Sequence, residues 1–432
     1  METFLTTVLD STIDDTVRGV PPQREPVRLR DVGEKGWRPA SGNMSLPVLT
    51  LDEAAFIHNT DLIFSYVKSH GVQLAPHAKT PMSPQIVARL MAAGAWGTTA
   101  ANLQQASVLL RSGSTRLMIA NEIGGRASGE RLGDLLAAWP QAEVHLFCDS
   151  VDAVATASAA AGRAGRPVSV LVEVGGGRAG ARDDQAVAAI ISAVSADPGL
   201  VFGGVASYEG AVASSDQALT DSRIAILMAR AKDAFAQVRA LSPGRPLILT
   251  AGGSAFFDKV VAALKPVVDA DGQAELVLRS GAIFFYDHGT YVRALEAMDQ
   301  RGGFVVGGAA RAAVTGFRPA LRLWGEVLSR PEAGLAICGF GMRDVSYDQD
   351  LPIPLAAFRD GQPLAGWDAS ARIAKLNDQH AFLEIDAASD LRPGDVIEFG
   401  ISHPCTCLDR WRVFFGLDAA GKVQHAYRTY FG

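Results

Sequence analysis

The sequence is poor in cysteine and has no long apolar run. Four cysteines in 432 residues are too few and too scattered for a disulfide scaffold, so we expect free thiols apart from any metal ligand. No stretch reaches the roughly 18 uninterrupted apolar residues that cross a bilayer. The first residues, METFLTTVLDSTIDD, place no positive charge ahead of an apolar segment, unlike a secretory signal. We therefore expect a cytoplasmic protein without a membrane partner.

The sequence also lacks a basic stripe. Its net charge of -6 is spread over both signs, so nucleic acid is not an expected partner. Hydrophobic residues make up 48% and charged residues 20%, which is typical of a globular protein with a large core. A chain of 432 residues predicts a barrel-sized domain and a smaller second one. A small molecule is the expected partner.

Short β-rich runs alternate with amphipathic or Ala-rich helical segments over much of the chain. This alternation specifies a parallel sheet with right-handed crossovers. Eight strand-then-helix units are the number that closes a barrel, so the predicted fold class is α/β, a (β/α)8 TIM barrel. An open doubly wound sheet is the main alternative, but no GxGxxG follows the first strand. The predicted strands are 72–79, 96–101, 116–121, 143–149, 168–174, 200–208, 246–252 and 275–281.

The sequence pattern changes at about Gly302. Short β-like runs separated by Gly and Pro replace the Ala-rich helices, which predicts a smaller antiparallel β domain. The strand-like segment near 46–52, LPVLTLD, is expected to pair with it. The first 45 residues show no sustained period and indicate an extended arm. The predicted organisation is an N-terminal arm (1–45), a barrel (46–300) and a C-terminal β domain (301–432).

Lys79 is the first candidate functional residue, since active residues of such barrels come from the C-terminal ends of strands. The first predicted strand ends in His77, Ala78 and Lys79, and no other strand end has a lysine. Desolvation there would lower the pKa of Lys79 and make it an imine-forming amine or a base. A solvated lysine at a strand end is the alternative.

Two Gly-rich loops follow the seventh and eighth strands, where barrels frequently build a phosphate site. They read ThrAlaGlyGlySer (250–254) and ArgSerGlyAla (279–282). Small residues let backbone N–H groups approach a phosphate, and a helix beginning near Ser254 would add its positive end. Either loop alone is consistent with an ordinary turn. Together, opposite Lys79, they predict a phosphorylated aldehyde cofactor.

Two arginines and a tyrosine follow the fifth and sixth strands. Arg178 and Arg182 lie in a Gly-rich loop, where a fixed cation can hold a cofactor ring nitrogen unprotonated or bind a substrate carboxylate. Either arginine can instead cap a helix or pair with a surface acid. Tyr208 ends the sixth strand, and its ring is expected to pack on the cofactor unless it is simply a buried barrel tyrosine.

A second cluster, HisProCysThrCysLeuAsp (403–409), lies in the predicted β domain. On an extended strand, His403 and Cys405 would project to the same face and could share one zinc ion. Two protein ligands leave positions open for a hydroxyl or water, as in catalytic zinc sites. His380 is a candidate third ligand or a hydrogen-bond partner of a ligand. An ordinary structural role for the segment is the alternative.

Several motifs carry a resemblance to a known family. ProHisAlaLysThr (76–80), MetIleAlaAsnGlu (118–122) and GlyMetArgAspValSerTyrAspGln (341–349) resemble fold type III pyridoxal phosphate enzymes that act on D-3-hydroxy amino acids. The resemblance runs from about residue 45 to the C-terminus and is similar to the bacterial amino acid deaminase branch, akin to D-serine dehydratase. It implies an alanine racemase-like barrel followed by a β domain, usually in a homodimer.

The resemblance also implies residue roles. Lys79 would carry pyridoxal 5'-phosphate covalently, and His403 and Cys405 would bind Zn²⁺ or another divalent metal such as Mn²⁺ or Mg²⁺. With the strand-end pattern, it gives the predicted cofactor-binding residues Lys79, His77, Arg178, Tyr208, Thr250, Gly252, Gly253, Ser280 and Gly281.

The expected function is that of a lyase on D-3-hydroxy amino acids that depends on pyridoxal phosphate and a metal. Aldolases of this kind tend to carry His-x-Asp at the metal pair, whereas zinc-dependent dehydratases carry His-x-Cys. Cys405 therefore favours a D-serine-type dehydratase, a deaminase giving a 2-oxo acid and ammonia, with Lys79, His403 and Cys405 as catalytic residues. The main alternative is a D-threonine-type aldolase giving glycine and an aldehyde. A racemase and a noncatalytic cofactor-binding protein are weaker alternatives.

Overall fold

The N-terminal arm is folded rather than extended in the computed structural model, which describes residues 3–367 and 370–431. It contains helix α1 (Phe4–Asp10) and the paired strands β1 (Thr12–Ile13) and β2 (Val27–Arg28). The expectation of an extended arm was wrong because its scattered apolar residues, such as Val8 and Trp37, are buried against another part of the chain. The apolar residues of the arm show no regular spacing in the sequence, because the arm packs against the second sheet and has no core of its own.

The arm leads into strand β3 (Val48–Asp52) and helix α2 (Glu53–Ser69), after which eight parallel strands form one sheet. The predicted barrel fold is confirmed, with every predicted strand present. The barrel strands are β4 (Gln73–Leu74), β5 (Thr98–Ala100), β6 (Arg116–Ile119), β7 (Glu143–Cys148), β8 (Val168–Val174), β9 (Leu200–Ser207), β10 (Leu247–Ala251) and β11 (Ala274–Leu278).

The barrel closes around its first strand. The strand order is β4-β11-β10-β9-β8-β7-β6-β5, and the chain after β4 bonds to both flanking strands. On one side Ala75 N donates to Leu278 O at 2.8 Å, and on the other Ala78 N donates to Thr99 O at 2.9 Å. Closure therefore fixes the segment that ends in Lys79.

One side chain from each strand or its immediate flank fills the barrel interior, as expected for a packed barrel. These residues form a separate buried cluster: Ala75, Trp96, Met118, Phe147, Leu171, Ala206, Ile248 and Val277. The interior is thus a core, and ligand space is confined to the mouth.

A helix follows each barrel strand, and each strand-to-helix loop lies at the mouth. None of the helices among the described residues is both long and apolar enough to cross a membrane. The helices are α3 (Pro84–Ala92), α4 (Leu103–Arg111), α5 (Gly125–Ala138), α6 (Val151–Ala164), α7 (Asp184–Ala196), α8 (Gln217–Leu241), α9 (Phe257–Asp271) and α10 (Thr290–Gln300).

A second, mainly antiparallel sheet follows the barrel. Strand β3 pairs antiparallel with β14 and parallel with β21, so the segment before the barrel belongs to this sheet. The remaining elements are β12 (Val305–Val306), β13 (Ala309–Ala310), α11 (Ala313–Gly316), β14 (Leu321–Glu332), β15 (Leu335–Cys338), β16 (Ile353–Arg359), β17 (Gln362–Pro363), β18 (Arg372–Leu376), β19 (Ala381–Glu384), β20 (Val396–Gly400), α12 (Pro404–Leu408), β21 (Val413–Leu417) and β22 (Val423–Arg428).

The β-like runs that predict strands after Gly302 are 303–308, 321–329, 334–341, 381–386, 395–400, 411–417 and 425–431, and strands β16 and β18 lie outside all of them. β16 is half-buried and includes Pro354 and two alanines, and β18 contains Arg372 and Lys375. Of the β-branched and aromatic residues that indicate a strand locally, β16 has only Ile353 and Phe358, and β18 has only Ile373. Pairing with β20 and β19, respectively, determines their conformation.

Gly204 allows a test of how tightly the barrel wall is packed. It lies at a register shift between β8 and β9 with φ of +137°, and a Cβ there would approach the Ile248 carbonyl oxygen to 1.8 Å. We expect Gly204→Ala to lower the free energy of unfolding by about 3 kcal/mol or more, because backbone conformation and contact both oppose a side chain.

Gly272→Ala is the matched control, since Gly272 has φ of +73° and open space where the methyl group of an alanine would lie. It should cost about 1 kcal/mol. Urea unfolding followed by circular dichroism measures both variants, and equal losses would contradict the prediction.

Candidate active site

Lys79 lines a cavity of about 480 Å³ at the barrel mouth, within the size range of small-molecule sites. Protein atoms surround the side chain densely, while the open cavity keeps its amine accessible. Burial lowers the pKa of Lys79, and the nearby cations Arg178 and Arg279 lower it further against an opposing effect of Cys405. A larger neutral fraction suits this amine for imine formation or proton abstraction.

His77 lines the same cavity two residues before Lys79. Burial, with the positive charges of Lys79 and Arg279, holds the pKa of His77 well below its usual range, so the imidazole is neutral. Its Nδ1 is buried without a hydrogen-bond partner in the described part of the chain. A buried ring nitrogen left unsatisfied in a cavity is consistent with contact to a polar ligand.

Arg178 and Tyr208 lie together at the rim. The Arg178 guanidinium carbon is 5.1 Å from the centre of the Tyr208 ring, and both residues line the cavity. The ring packs so closely over Gly210 that a Cβ there would lie 2.6 Å from the Tyr208 hydroxyl oxygen. Burial, then the Glu209 charge, raises the pKa of Tyr208 and keeps the phenol protonated. Arg182 is exposed and does not line the cavity.

The loops after β10 and β11 meet beside Lys79, but only part of the predicted phosphate set lines the cavity. Gly253 and Gly281 do, together with Ser254 and Ala282. The Gly253 amide donates to a Glu209 carboxylate oxygen at 2.6 Å, so Glu209 holds this loop in shape. At Gly281 a Cβ would approach the His77 carbonyl oxygen to 2.4 Å, so a larger residue would displace the wall.

Thr250, Gly252 and Ser280 do not line the cavity, so their predicted contact with the cofactor stays a prediction. Their polar groups are already used: the Thr250 hydroxyl donates to Val277 O, the Gly252 amide to Glu209, and the Ser280 hydroxyl to Gly252 O. Helix α9 begins at Phe257, three residues after Ser254. Gly253 and Ser254, which precede the helix, line the cavity, and the first residue of the helix does not.

Arg279 lines the cavity but was not among the predicted site residues. Its guanidinium is buried, and it donates to the Thr250 hydroxyl and to Ser207 O, both at 2.7 Å. Burial lowers the pKa of Arg279, although the Glu209 and Glu173 carboxyls counteract this. The signal in the sequence was an arginine directly after the apolar run of β11. Burying a charged side chain costs free energy unless the charge is paired or hydrogen-bonded, so such an arginine indicates a binding partner.

Glu173 is a second residue that sequence reasoning missed. It lies in β8, is almost fully buried and lines the cavity. Burial and a hydrogen bond with Glu122 raise the pKa of Glu173 to about 9, so it carries a proton at neutral pH. A glutamate within the valine-rich run VSVLVEV was the available signal.

His403 and Cys405 also line the cavity, although not on an extended strand. His403 has extended backbone and precedes α12, and Cys405 lies within that short helix, because Pro404 at its first position favours a helical start. The two side chains are close enough to interact electrostatically. The Cys405 sulfur also lies 3.3 Å from the Thr80 hydroxyl, which places the pair next to Lys79.

Asp348, rather than His380, is the hydrogen-bond partner of the predicted metal histidine. His403 Nδ1 is 2.7 Å from Asp348 Oδ2, an arrangement that leaves the other ring nitrogen for a metal. His380 is exposed in the turn between β18 and β19 and does not line the cavity. Asp348 lies in the motif 341–349, which sequence reasoning noted without assigning it a role.

The residues present fit both expected groups. For the cofactor there are an amine of lowered pKa, a cavity of suitable volume, and two loops of small residues, Gly253–Ser254 and Gly281–Ala282, along the cavity wall. For the metal there are an oriented imidazole and a thiol. Within residues 3–367 and 370–431, no three His, Cys, Asp or Glu side chains cluster closely enough to form a larger ligand set.

A lysine at the end of the first strand of a parallel barrel, facing residues from a second antiparallel sheet, defines an alanine racemase-like enzyme of fold type III. Residues 51–264 match the family model for the alanine racemase N-terminal domain. Residues 320–417, which include His403 and Cys405, match the model described as "Putative serine dehydratase domain". The chain belongs to the fold type III family that contains D-serine dehydratase and D-threonine aldolase, which confirms the resemblance.

Relatives include enzymes with two different activities. D-threonine aldolase from an Arthrobacter species is 34% identical over 168 residues, which span 38% of this chain and only 44% of that relative. The crystal structure of D-threonine aldolase from Filomicrobium marinum is 28% identical, has a TM-score of 0.71, and covers 94% of this chain and 98% of its own. D-threo-3-hydroxyaspartate dehydratase from Delftia sp. HT23, at 22% identity and a TM-score of 0.65, shares the fold over 90% of this chain and 98% of its own.

Glu173 gives a pH prediction. Its folded pKa, about 9, exceeds the usual 4.5, so its contribution to stability is full at low pH and is lost as pH rises between these values. Glu173→Gln stays neutral and should remove a decline of up to about 1.4 kcal/mol per pH unit in unfolding free energy between pH 5 and 9. Urea unfolding at several pH values tests this, with the exposed Glu332→Gln as control. An unchanged slope in Glu173→Gln would contradict the prediction.

Proposed function

We propose that this chain is a lyase, dependent on pyridoxal phosphate and a metal, that removes the hydroxyl group from D-3-hydroxy amino acids and releases a 2-oxo acid and ammonia. One observation carries the proposal. Lys79 and Cys405 line one cavity, and Thr80, next to Lys79, hydrogen-bonds to the Cys405 sulfur. A basic amine and a metal-binding thiol are therefore within reach of the same small substrate.

The two expected groups have defined places. Pyridoxal phosphate on Lys79, with its phosphate at the loops of Gly253 and Gly281, would supply an electron sink that acidifies the substrate Cα–H. A divalent cation at His403 and Cys405 would supply a Lewis acid for the 3-hydroxyl. A thiol and an imidazole favour Zn²⁺, with Mn²⁺ or Mg²⁺ as alternatives.

Lys79 is the base of the proposed reaction. With substrate and cofactor bound, Lys79 Nζ would accept the Cα proton, and the lowered pKa of Lys79 favours the neutral form that this role requires. In balance, the Cα proton and the 3-hydroxide leave the substrate as one molecule of water, and addition of water to the released enamine gives a 2-oxo acid and ammonia.

Other side chains orient the reactants. Asp348 holds the His403 imidazole through Nδ1, which fixes its direction. Arg178, exposed at the rim, is suited to bind the substrate carboxylate. Arg279 is buried, and hydrogen bonds to Thr250 and Ser207 hold it in place, so it is suited to a fixed contact with the cofactor ring.

The second candidate is an aldolase that gives glycine and an aldehyde. The names of the Arthrobacter and Filomicrobium relatives favour it. In that reaction the hydroxyl loses its proton and the Cα–Cβ bond breaks, so the same cavity serves both outcomes. The thiol of Cys405 and the match of residues 320–417 to a serine dehydratase model support elimination.

Other activities have weaker support. A racemase needs a second base on the opposite face of the substrate, and the raised pKa of Tyr208 makes that phenol a poor one. A noncatalytic cofactor-binding barrel would have no use for the His403 and Cys405 pair. The homodimer and the cytoplasmic location expected from the sequence stay predictions.

Loss of the lysine tests the cofactor assignment. Lys79→Ala should lose the visible absorbance of the lysine-linked cofactor and about 10³-fold or more in turnover, because link and base disappear together. Lys68→Ala, which removes an exposed lysine of α2, should change neither. Retention of the absorbance band by Lys79→Ala would refute the assignment.

Product analysis tests the reaction. With D-serine, D-threonine and 3-hydroxy-D-aspartate as substrates, we expect ammonia and 2-oxo acid in equal amounts, and at least about a tenfold loss after metal chelation that added Zn²⁺ restores. Glycine with an aldehyde as the main products would favour the aldolase. Turnover of none of the three would refute the lyase proposal.

A further inference from the structure

Arg18 of the N-terminal arm reaches two distant segments of the second sheet. Its guanidinium forms an ion pair with Asp344, donates to Arg343 O at 3.3 Å, and donates to Arg410 O. It also lies 4.2 Å from the centre of the Trp411 ring. One side chain thus contacts residues 343–344 and residues 410–411 at once. A planar guanidinium with five donors suits such a junction, whereas a lysine ammonium does not.

The arm places Arg18 by packing the residue that follows it. Gly19 has φ of +94° and pairs with Ser45 in an isolated β-bridge. A Cβ at Gly19 would lie 2.7 Å from side-chain atoms of Phe415 and Val48. The turn that carries Arg18 is therefore pressed against the second sheet, and its guanidinium has a fixed origin.

The two segments that Arg18 joins carry the predicted metal site. We name residues 341–350 the acidic loop and residues 402–411 the metal turn. The acidic loop carries Asp348, and the metal turn carries His403 and Cys405. Arg18 contacts the acidic loop near its start and the metal turn at its end, while Asp348 and His403 meet at the other end of this contact.

Side chains connect the acidic loop and the metal turn between those two ends. The bonds are Arg410 Nε to Met342 O (3.0 Å), Trp411 Nε1 to Asp344 O (2.9 Å), His403 N to Ser346 Oγ (3.2 Å) and Thr406 Oγ1 to Asp348 Oδ1 (2.6 Å). These bonds are cross-links at successive points along the two segments, so a shift of the acidic loop at Asp344 strains its neighbours and changes the position of Asp348 relative to His403.

We propose that Arg18 is a positioning residue for the metal site: it clamps the acidic loop to the metal turn and so sets the affinity of His403 and Cys405 for a divalent cation. This inference rests on the metal site of the proposed function. Residues that orient a metal-bound histidine typically change metal affinity by about 10-fold to 100-fold when replaced, and Arg18 acts one step further out. The expected effect is therefore about tenfold.

The test is a metal titration of the cofactor-loaded protein, after chelation, with Co²⁺ monitored through its thiolate absorbance. Arg18→Met should raise the Kd for Co²⁺ about tenfold, while the absorbance of the lysine-linked cofactor stays unchanged because the barrel is untouched. Competition with a chelator for Zn²⁺ gives the same comparison for the expected metal. Neither readout depends on turnover.

Arg30→Met is the matched control. Arg18 and Arg30 belong to the same arm and have side chains 41% and 40% exposed, but Arg30 pairs with Asp10 inside the arm at 2.7 Å. Its variant should bind Co²⁺ like the wild type. Asp344 is only 5% exposed, so its unpaired carboxylate in Arg18→Met could impair folding. Arg18→Met/Asp344→Asn removes both charges and should show the same weakened binding.

The outcomes separate this inference from the function it rests on. If the wild-type protein fails to bind Co²⁺, or binds it equally well in Cys405→Ala, the proposed metal site is wrong. If the wild type binds through Cys405 and the Arg18 variants match its Kd, the positioning role is wrong. Equal weakening in Arg30→Met would assign the effect to the arm as a whole and also overturn the role of Arg18.

Discussion

The closure of the barrel around its first strand is the constraint on which the site depends. Hydrogen bonds from Ala75 to β11 and from Ala78 to Thr99 fix both sides of a very short strand. Lys79 must then emerge at the mouth, and Thr80 must face the neighbouring domain, where it meets Cys405. The C-terminal tail docks beside this turn, with Tyr430 N donating to Met82 O at 2.9 Å. The site therefore forms only where two domains meet, although its amine comes from the barrel alone.

The charge balance of the mouth follows from which groups are ionised. Three cationic side chains, Lys79, Arg178 and Arg279, line the cavity. The Glu173 carboxyl does not neutralise them, because it holds a proton at neutral pH. A cavity with an excess of positive charge favours anions such as a phosphate or an amino acid carboxylate. Burial lowers the pKa of Lys79, and repulsion by Arg178 and Arg279 lowers it further, which favours a neutral amine.

The sequence predicted the parts of this fold that local pattern determines. Eight alternating strand and helix segments specified the barrel, and a lone lysine at a strand end marked the mouth. Features determined by contacts distant in sequence were missed: β16 and β18 depend on their partners, and the arm folds on a surface supplied by the second sheet. Asp348 was missed because its bond to His403 spans 55 residues, and His380 was chosen because it is a histidine, not because anything placed it nearby.

The division of the site between domains separates two chemical tasks. The barrel presents an amine, loops of small residues and fixed cations, which are what holding a phosphorylated aldehyde requires. In the two proposed reactions, the fate of the 3-hydroxyl decides which bonds break: the Cα–H and Cβ–O bonds if it leaves, or the Cα–Cβ bond if it loses its proton. The groups proposed to act on that hydroxyl, His403 and Cys405, belong to the metal turn. A change in that turn can therefore alter the outcome without disturbing cofactor binding. This is a physical reason why aldolases and dehydratases can share one barrel, and why the contacts that hold the metal turn in place matter as much as its ligands.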